Sequence, residues 1–198
     1  LKIDLEHLHY WMCAIRESND PKRTLDAFWK GQMQSKEWLI TNLRPFIKNW
    51  VRIEIHGGWV GVLASMLFQS DIPAKYILSV DIDPECEPIA MMMNKGEEQV
   101  GKFRALTADM CEVPTHGDII INTSCEHITQ DQYAAWLNNI SGDPLLVLQS
   151  NDYRIPEHVR TADSLEDFKN QCGVNVLWSG SLKLQLYTRF MIVGKLKR

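Results

Sequence analysis

The chain has 198 residues, 45% of them hydrophobic and 23% charged, with a formal net charge of −4. This size suits one α/β domain with a modest N-terminal addition, and the apolar share supplies a sizeable core. The acidic balance excludes a nucleic-acid-binding surface as the main business, because phosphate contacts need clustered Lys and Arg.

In chain order, Ile3 to Ile15 places Leu5, Leu8, Trp11, Met12 and Ile15 at helical spacing, and Asn19-Asp20-Pro21 reads as a turn. A second helical stretch is expected around Thr24 to Lys30. A third is expected from Ser35, read as an N-cap, through Trp38 and Leu39 to Leu43. Four of the seven tryptophans, Trp11, Trp29, Trp38 and Trp50, lie in or beside this segment, where core packing is favoured over a lid role. Residues 1–47 are thus read as a helical extension or lid, and residues 48–198 as the main domain. From Trp50 onward strands and helices alternate: strand Val51–Ile55, helix Val60–Gln69, strand Tyr76–Asp81, helix Pro84–Asn94 and strand Phe103–Ala108. Strand Gly117–Asn122, helix Gln130–Asn139, strand Pro144–Ser150 and helix Ser164–Gln171 follow. The alternation predicts a doubly wound, mostly parallel α/β sheet with helices on both faces. Asn175–Leu186 and Tyr187–Val193 are β-rich with no helix between them, so they are expected to pair antiparallel at one edge.

The cysteines Cys13, Cys86, Cys111, Cys125 and Cys172 are scattered and form no Cys-x-x-Cys pair. Neither a structural zinc site nor a disulfide framework is expected, and a reducing cytoplasm is the simplest setting. No apolar run reaches membrane-spanning length and no signal peptide is visible, so no membrane association is expected.

The most informative stretch is Val51 to Gly61. It reads as a buried strand, a glycine-rich turn and the start of a helix, a setting where backbone can approach a ligand and helix N–H groups favour a polar one. Asp81 ends the next strand about 20 residues past the glycines, the separation at which a carboxylate can accept from ribose hydroxyls. Together these form two halves of a nucleoside-cofactor site.

With Glu54, Gly58 and Gly61, Asp81, the run Thr107-Ala108-Asp109-Met110 and the terminal strand Thr188 to Gly194, residues 48 to 194 resemble a class I S-adenosylmethionine-dependent methyltransferase. The resemblance implies a Rossmann-like, seven-stranded sheet with an antiparallel last strand. Ser124-Cys125-Glu126-His127-Ile128, Glu157-His158-Val159-Arg160 and Ser164 to Phe168 are similar to small-molecule O-methyltransferases of the ubiquinone-biosynthesis type. The resemblance implies S-adenosyl-L-methionine as cofactor, bound among Glu54, His56, Gly57, Gly58, Asp81, Asp109, Met110 and Asn122. Asp81 would hold the ribose, Asp109 the adenine amino group, Met110 the base, and Gly57–Gly58 the methionine portion. The sequence departs from the family at His56, which stands where a first glycine is usual. Its imidazole either enters the pocket and contacts the cofactor carboxylate or turns away from it.

Methyl transfer is an in-line displacement that must align an acceptor and relieve it of a proton. His127 is the leading general-base candidate, Glu126 its orienting partner and His158 its substitute. Related enzymes hold a divalent ion with a similar set, so Glu126, His127 and His158 are the candidate ligands, although a metal is not expected to be required. Asn122 is followed by Thr123 and Ser124 rather than prolines, which disfavours methylation of nucleic-acid bases. The expected partner is a small-molecule acceptor with oxygen or nitrogen as the methylated atom. Two other readings are a catalytically silent module keeping the fold, which His56 favours, and a nicotinamide-dependent oxidoreductase, which the terminal strands disfavour.

Overall fold

The computed structural model describes residues 4–197. Seven strands form one sheet in the order β3-β2-β1-β4-β5-β7-β6. They are β1 (Val51–His56), β2 (Ala74–Asp81), β3 (Phe103–Thr107), β4 (Ile119–Asn122), β5 (Leu145–Asn151), β6 (Val174–Lys183) and β7 (Thr188–Leu196). The first five run parallel, and β7 is antiparallel to both β5 and β6. Strand order therefore reverses between β1 and β4, where a crevice opens at the carboxyl ends of the strands.

The apolar strands sort their side chains by alternation onto two faces. Ile119, Ile121, Val147 and Met191 join one core with α1 (Leu5–Glu17), α3 (Lys30–Leu43), α4 (Val62–Phe68) and α5 (Cys86–Met93). Ile120, Leu146, Leu148, Phe190 and Ile192 join the other, under α7 (Gln130–Asn139) and α8 (Leu165–Cys172). Short α2 (Pro21–Asp26) and α6 (Lys95–Gln99) complete the α-helices among the described residues. Among the described residues, no helix is long and apolar enough to cross a membrane.

Local chemistry sets several boundaries. Asp20 caps α2, accepting from the Arg23 N–H, with Pro21 in the first turn. Thr129 and Gln132 form a reciprocal capping box that starts α7 as expected. Ser164 caps α8. The third helix differs from expectation: it starts at Lys30, and Ser35 lies within it, donating to Gln149 Oε1 at 3.2 Å. A serine there reads as a cap in sequence because the strand that satisfies its hydroxyl is 114 residues away. The tryptophan expectation divides. Trp11 is buried and donates to Ser65, and Trp38 packs on Trp178, but Trp29 and Trp50 are exposed.

Candidate active site

The glycine turn lies between β1 and α4. Gly58 leaves room for Ser79 on β2, since a Cβ there would sit 1.9 Å from Ser79 Oγ. Gly61 has φ +80°, and an added Cβ would meet Asn94 and Ala90 within 3.0 Å. Between them Trp59 takes φ 49°, a left-handed conformation that a bulky residue rarely holds without outside support. That support includes Asp81: its Oδ2 accepts the Trp59 N–H at 2.8 Å, while Oδ1 accepts the Asp83 N–H at 3.1 Å. Asp81 thereby ties the turn to the end of β2. Each of its oxygens keeps a lone pair for another donor.

A cleft of about 790 Å³ opens over the ends of β1, β2, β4 and β5. The sequence-derived set divides here. Gly57, Gly58, Asp81, Asp109, Met110, Glu126, His127 and His158 line the cleft; Glu54, His56 and Asn122 do not.

For His56 and Glu54 the reason is strand alternation. Both project from β1 to the α7 face, whereas Ile55 between them faces the cleft. His56 Nδ1 accepts the Trp136 indole N–H at 2.7 Å, with the ring wholly buried. Its Nε2 lies 3.5 Å from Glu54 Oε2, and because Nδ1 accepts, the one ring N–H is on Nε2 and faces that carboxylate. Glu54 Oε1 accepts the His116 N–H at 2.8 Å. Burial pushes the Glu54 carboxyl up, but the His56 ring and the His116 N–H outweigh it and hold the group below its ordinary value. Histidine in place of a glycine thus anchors α7 and leaves the cleft free. Asn122 acts on the turn instead: its Oδ1 accepts the Ser124 N–H at 2.9 Å, bending the chain that carries Glu126 and His127.

Those two residues occupy a single 3-10 turn, Cys125–His127, after β4. Glu126 is 3% exposed, and its Oε1 accepts from Arg189 Nη1 and Asn151 Nδ2, both at 2.5 Å. Arg189 also donates to Thr123 O and to Gln149 Oε1. Among the described residues Glu126 Oε2 is buried without a hydrogen-bond partner. The His127 Nδ1–H donates to Glu157 O at 3.2 Å and the His158 Nδ1–H to Tyr153 O at 2.6 Å. A carbonyl oxygen only accepts, so each neutral ring keeps the lone pair on Nε2. The rings meet edge to face with centroids 4.7 Å apart. One potential ligand atom from each of Glu126, His127 and His158 falls within 4.8 Å of the others. Tyr153 and Tyr187, stacked at 5.7 Å, form an aromatic wall beside them.

Two residues of this half escape a reading by sequence. Arg189 interrupts an otherwise apolar strand, a charge in a buried run that signals a buried partner. Arg160 looks like part of a site motif but clamps the turn instead. It donates to Gln130 Oε1, Cys125 O and Gln171 O, and its guanidinium lies 3.9 Å from the Tyr133 ring centroid.

No family model and no curated protein matches this sequence. Solved structures do. Magnesium protoporphyrin IX methyltransferase (ChlM) from Synechocystis PCC 6803 with bound SAH is 14% identical, with TM-score 0.67 over 96% of this chain and 94% of that one. The fold is that of the class I S-adenosylmethionine-dependent methyltransferases. A sarcosine dimethylglycine methyltransferase from Galdieria sulphuraria, so described, shares this methyltransferase fold at 12% identity, with TM-score 0.63 over 83% and 86% of the two chains. So does the [4+2]-cyclase SpnF, at 10% identity and TM-score 0.67 over 83% and 82%. A cyclase on the methyltransferase fold shows why the reaction must be argued from the site.

Proposed function

We propose that this protein is an S-adenosylmethionine-dependent methyltransferase acting on an oxygen or nitrogen of a small molecule. The observation that carries the reading is the division of one cleft. Asp81, Asp109 and Met110 line it beside the glycine turn, while His127 and His158, with Nε2 free, line it beside Glu126.

The nucleoside half fits the cofactor chemically. Asp81 would hold the ribose hydroxyls, Asp109 the adenine amino group and Met110 the face of the base, with the Gly57–Gly58 backbone against the amino-acid portion. When bound, S-adenosylmethionine supplies an electrophilic methyl carbon whose sulfur departs with the bonding electrons as a neutral thioether. His127 takes the proton from the attacking hydroxyl or amine at Nε2, while the carbonyl of Glu157 holds its Nδ1–H and orients the ring. Glu126 Oε2 accepts a hydrogen bond from the acceptor or steadies the imidazolium. Tyr153 and Tyr187 exclude water from one side.

Titration calorimetry with S-adenosylhomocysteine and NAD tests the cofactor. Binding of the first and not the second is expected, and the reverse would return the oxidoreductase reading. With methyl acceptors screened by thioether release, His127→Ala is expected to lose about 10²- to 10⁴-fold in rate while keeping S-adenosylhomocysteine affinity. Turnover unchanged in that variant would remove His127 from the mechanism.

A second reading of the same cluster, a divalent-cation site, is favoured by the 4.8 Å grouping of Glu126, His127 and His158 and by the orphaned Glu126 oxygen. Two imidazoles oriented by backbone carbonyls are a common ligand arrangement. Ligand bonds of about 2.0–2.2 Å place donors no more than about 4.4 Å apart, so the cluster would have to close slightly. Arg189 already neutralises Glu126. Elemental analysis of protein prepared with added zinc or magnesium decides this branch: one equivalent, lost in His158→Ala, would establish it.

A further inference from the structure

We infer that the methyl acceptor carries an oxyanion, a carboxylate or a phosphate, and that the ammonium of Lys36 receives it. The word acceptor rests on the methyltransferase reading; the oxyanion site itself rests on the cleft.

Among the described residues three Lys or Arg side chains line the cleft: Arg23, Lys36 and Arg189. Arg23 pairs with Asp83 and Arg189 with Glu126, both at 2.5 Å. Lys36 differs. Among the described residues no carboxylate oxygen lies within 4.0 Å of its Nζ, which donates only to Gln32 Oε1 at 3.0 Å and Gln32 O at 3.5 Å. An ammonium held by two neutral acceptors is under-compensated, and Lys36 is half-buried in the cleft wall, where an anionic ligand would meet it. The ligand is the natural source of a counter-charge.

Position favours the acceptor over the cofactor. Lys36 projects from α3, one residue after Ser35, whose hydroxyl is bonded to Gln149 near the end of β5. The same Gln149 oxygen accepts from Arg189, so α3 sits over the β5–β7 side of the cleft with Glu126, away from Asp81 on β2. Gln32, one turn earlier, and Tyr187 line the same wall.

Burial, with Arg189 adding repulsion, pushes the Lys36 ammonium down to about 7. The other titratable or charged groups on the cleft wall are Glu126, His127, Tyr153, Glu157, His158, Tyr187 and Arg189 on the β5–β7 side, and Arg23, Asp81, Asp83, Asp109 and Cys111 towards the glycine turn. An anion bound to Lys36 favours the charged form and raises its pKa. Affinity for the anion is therefore full below about 7 and declines as pH rises.

The probes are benzoate and sulfate, both fully ionised from about pH 6 to about pH 9, titrated into the protein with and without saturating S-adenosylhomocysteine. Wild type is expected to bind at least one of them, more weakly as pH rises. Lys36→Met should lose about 10- to 100-fold in affinity, the range for a hydrogen bond to a charged group. Lys36→Arg keeps a charge that does not titrate, so it should bind with the high-pH decline abolished. That variant tests the idea even if Lys36→Met does not fold. No probe binding to wild type, or equal binding by Lys36→Met, overturns the inference. So does loss of S-adenosylhomocysteine affinity in Lys36→Met with affinity for 5′-methylthioadenosine unchanged, because Lys36 would then be holding the cofactor's own carboxylate. If wild type bound the anions through Lys36 but bound no S-adenosylhomocysteine, the oxyanion site would stand and the methyltransferase reading would fall.

Discussion

Asp81 and Glu126 are both acids at the mouth of one cleft, yet they are held by different means. Asp81 accepts only backbone N–H groups, from residues 22 and two positions away. Glu126 is held by the side chains of Asn151 and Arg189, 25 and 63 positions away. The half of the cleft proposed for the nucleoside is built by consecutive strand–turn–helix units, whereas the half proposed for the acceptor is assembled from distant segments by charged and polar side chains. Backbone contacts hold a recurring shape whatever the side chains are. Long-range side-chain contacts allow the acceptor half to take a form of its own.

The comparison breaks most readily at Arg189. Arg189→Met leaves the Glu126 carboxylate buried without its cation, and a loss of about 3–5 kcal/mol is expected by chemical denaturation. Removing both charges, in Arg189→Met with Glu126→Leu, should recover much of that stability. A single variant as stable as wild type would mean that the acceptor half does not depend on the pair.

His56 tests whether the nucleoside half is independent of what lies behind it. Placing at 56 the glycine usual in the methyltransferases that the sequence resembles, His56→Gly, leaves the Trp136 indole N–H without its acceptor and opens a cavity, so about 2–4 kcal/mol should be lost. Affinity for S-adenosylhomocysteine, measured under conditions where the variant is folded, should stay within about twofold. Tighter binding would show that the imidazole does obstruct the cofactor.

Asp81→Asn keeps one carbonyl oxygen for the Trp59 N–H, but its amide N–H₂ then faces the Asp83 N–H, and the charge that the ribose of the proposed cofactor would meet is removed. A loss of about 10- to 100-fold in S-adenosylhomocysteine affinity is expected by calorimetry, with a fall in melting temperature from the lost Asp83 contact.

The smallest effect belongs to Glu54. Its carboxyl is held low in the folded protein, so its contribution is present above the unfolded glutamate value of about 4.3. That contribution is lost as pH falls through the lower folded value. Glu54→Gln should therefore flatten the fall in melting temperature on acidification below about 4.3. An unchanged acid profile would mean that other carboxylates carry it.

Much of the architecture was legible in the chain itself. The runs around Ile53, Ile120 and Leu146 and the glycines before α4 announce parallel strands and crossovers because hydrophobic period and turn chemistry are local properties. Asp81 and Asp109 could be placed in the cleft for the same reason: in a doubly wound sheet every strand end points to one crevice. The pairing of the last two strands was likewise readable from two β-rich runs with no helix between them.

Three things were decided only by tertiary structure. Which face of β1 meets the cleft is a matter of register, and it sends His56 to Trp136, 80 residues away. That the Ser35 hydroxyl bonds to a strand rather than capping a helix became visible only with Gln149 in place. The gathering of Glu126, His127, His158, Arg189 and Lys36 around one space joins an early helix, two strand ends and the last strand. Sequence records the chemistry of each side chain but not its distance from another far along the chain, and electrostatics and hydrogen bonding depend on that distance.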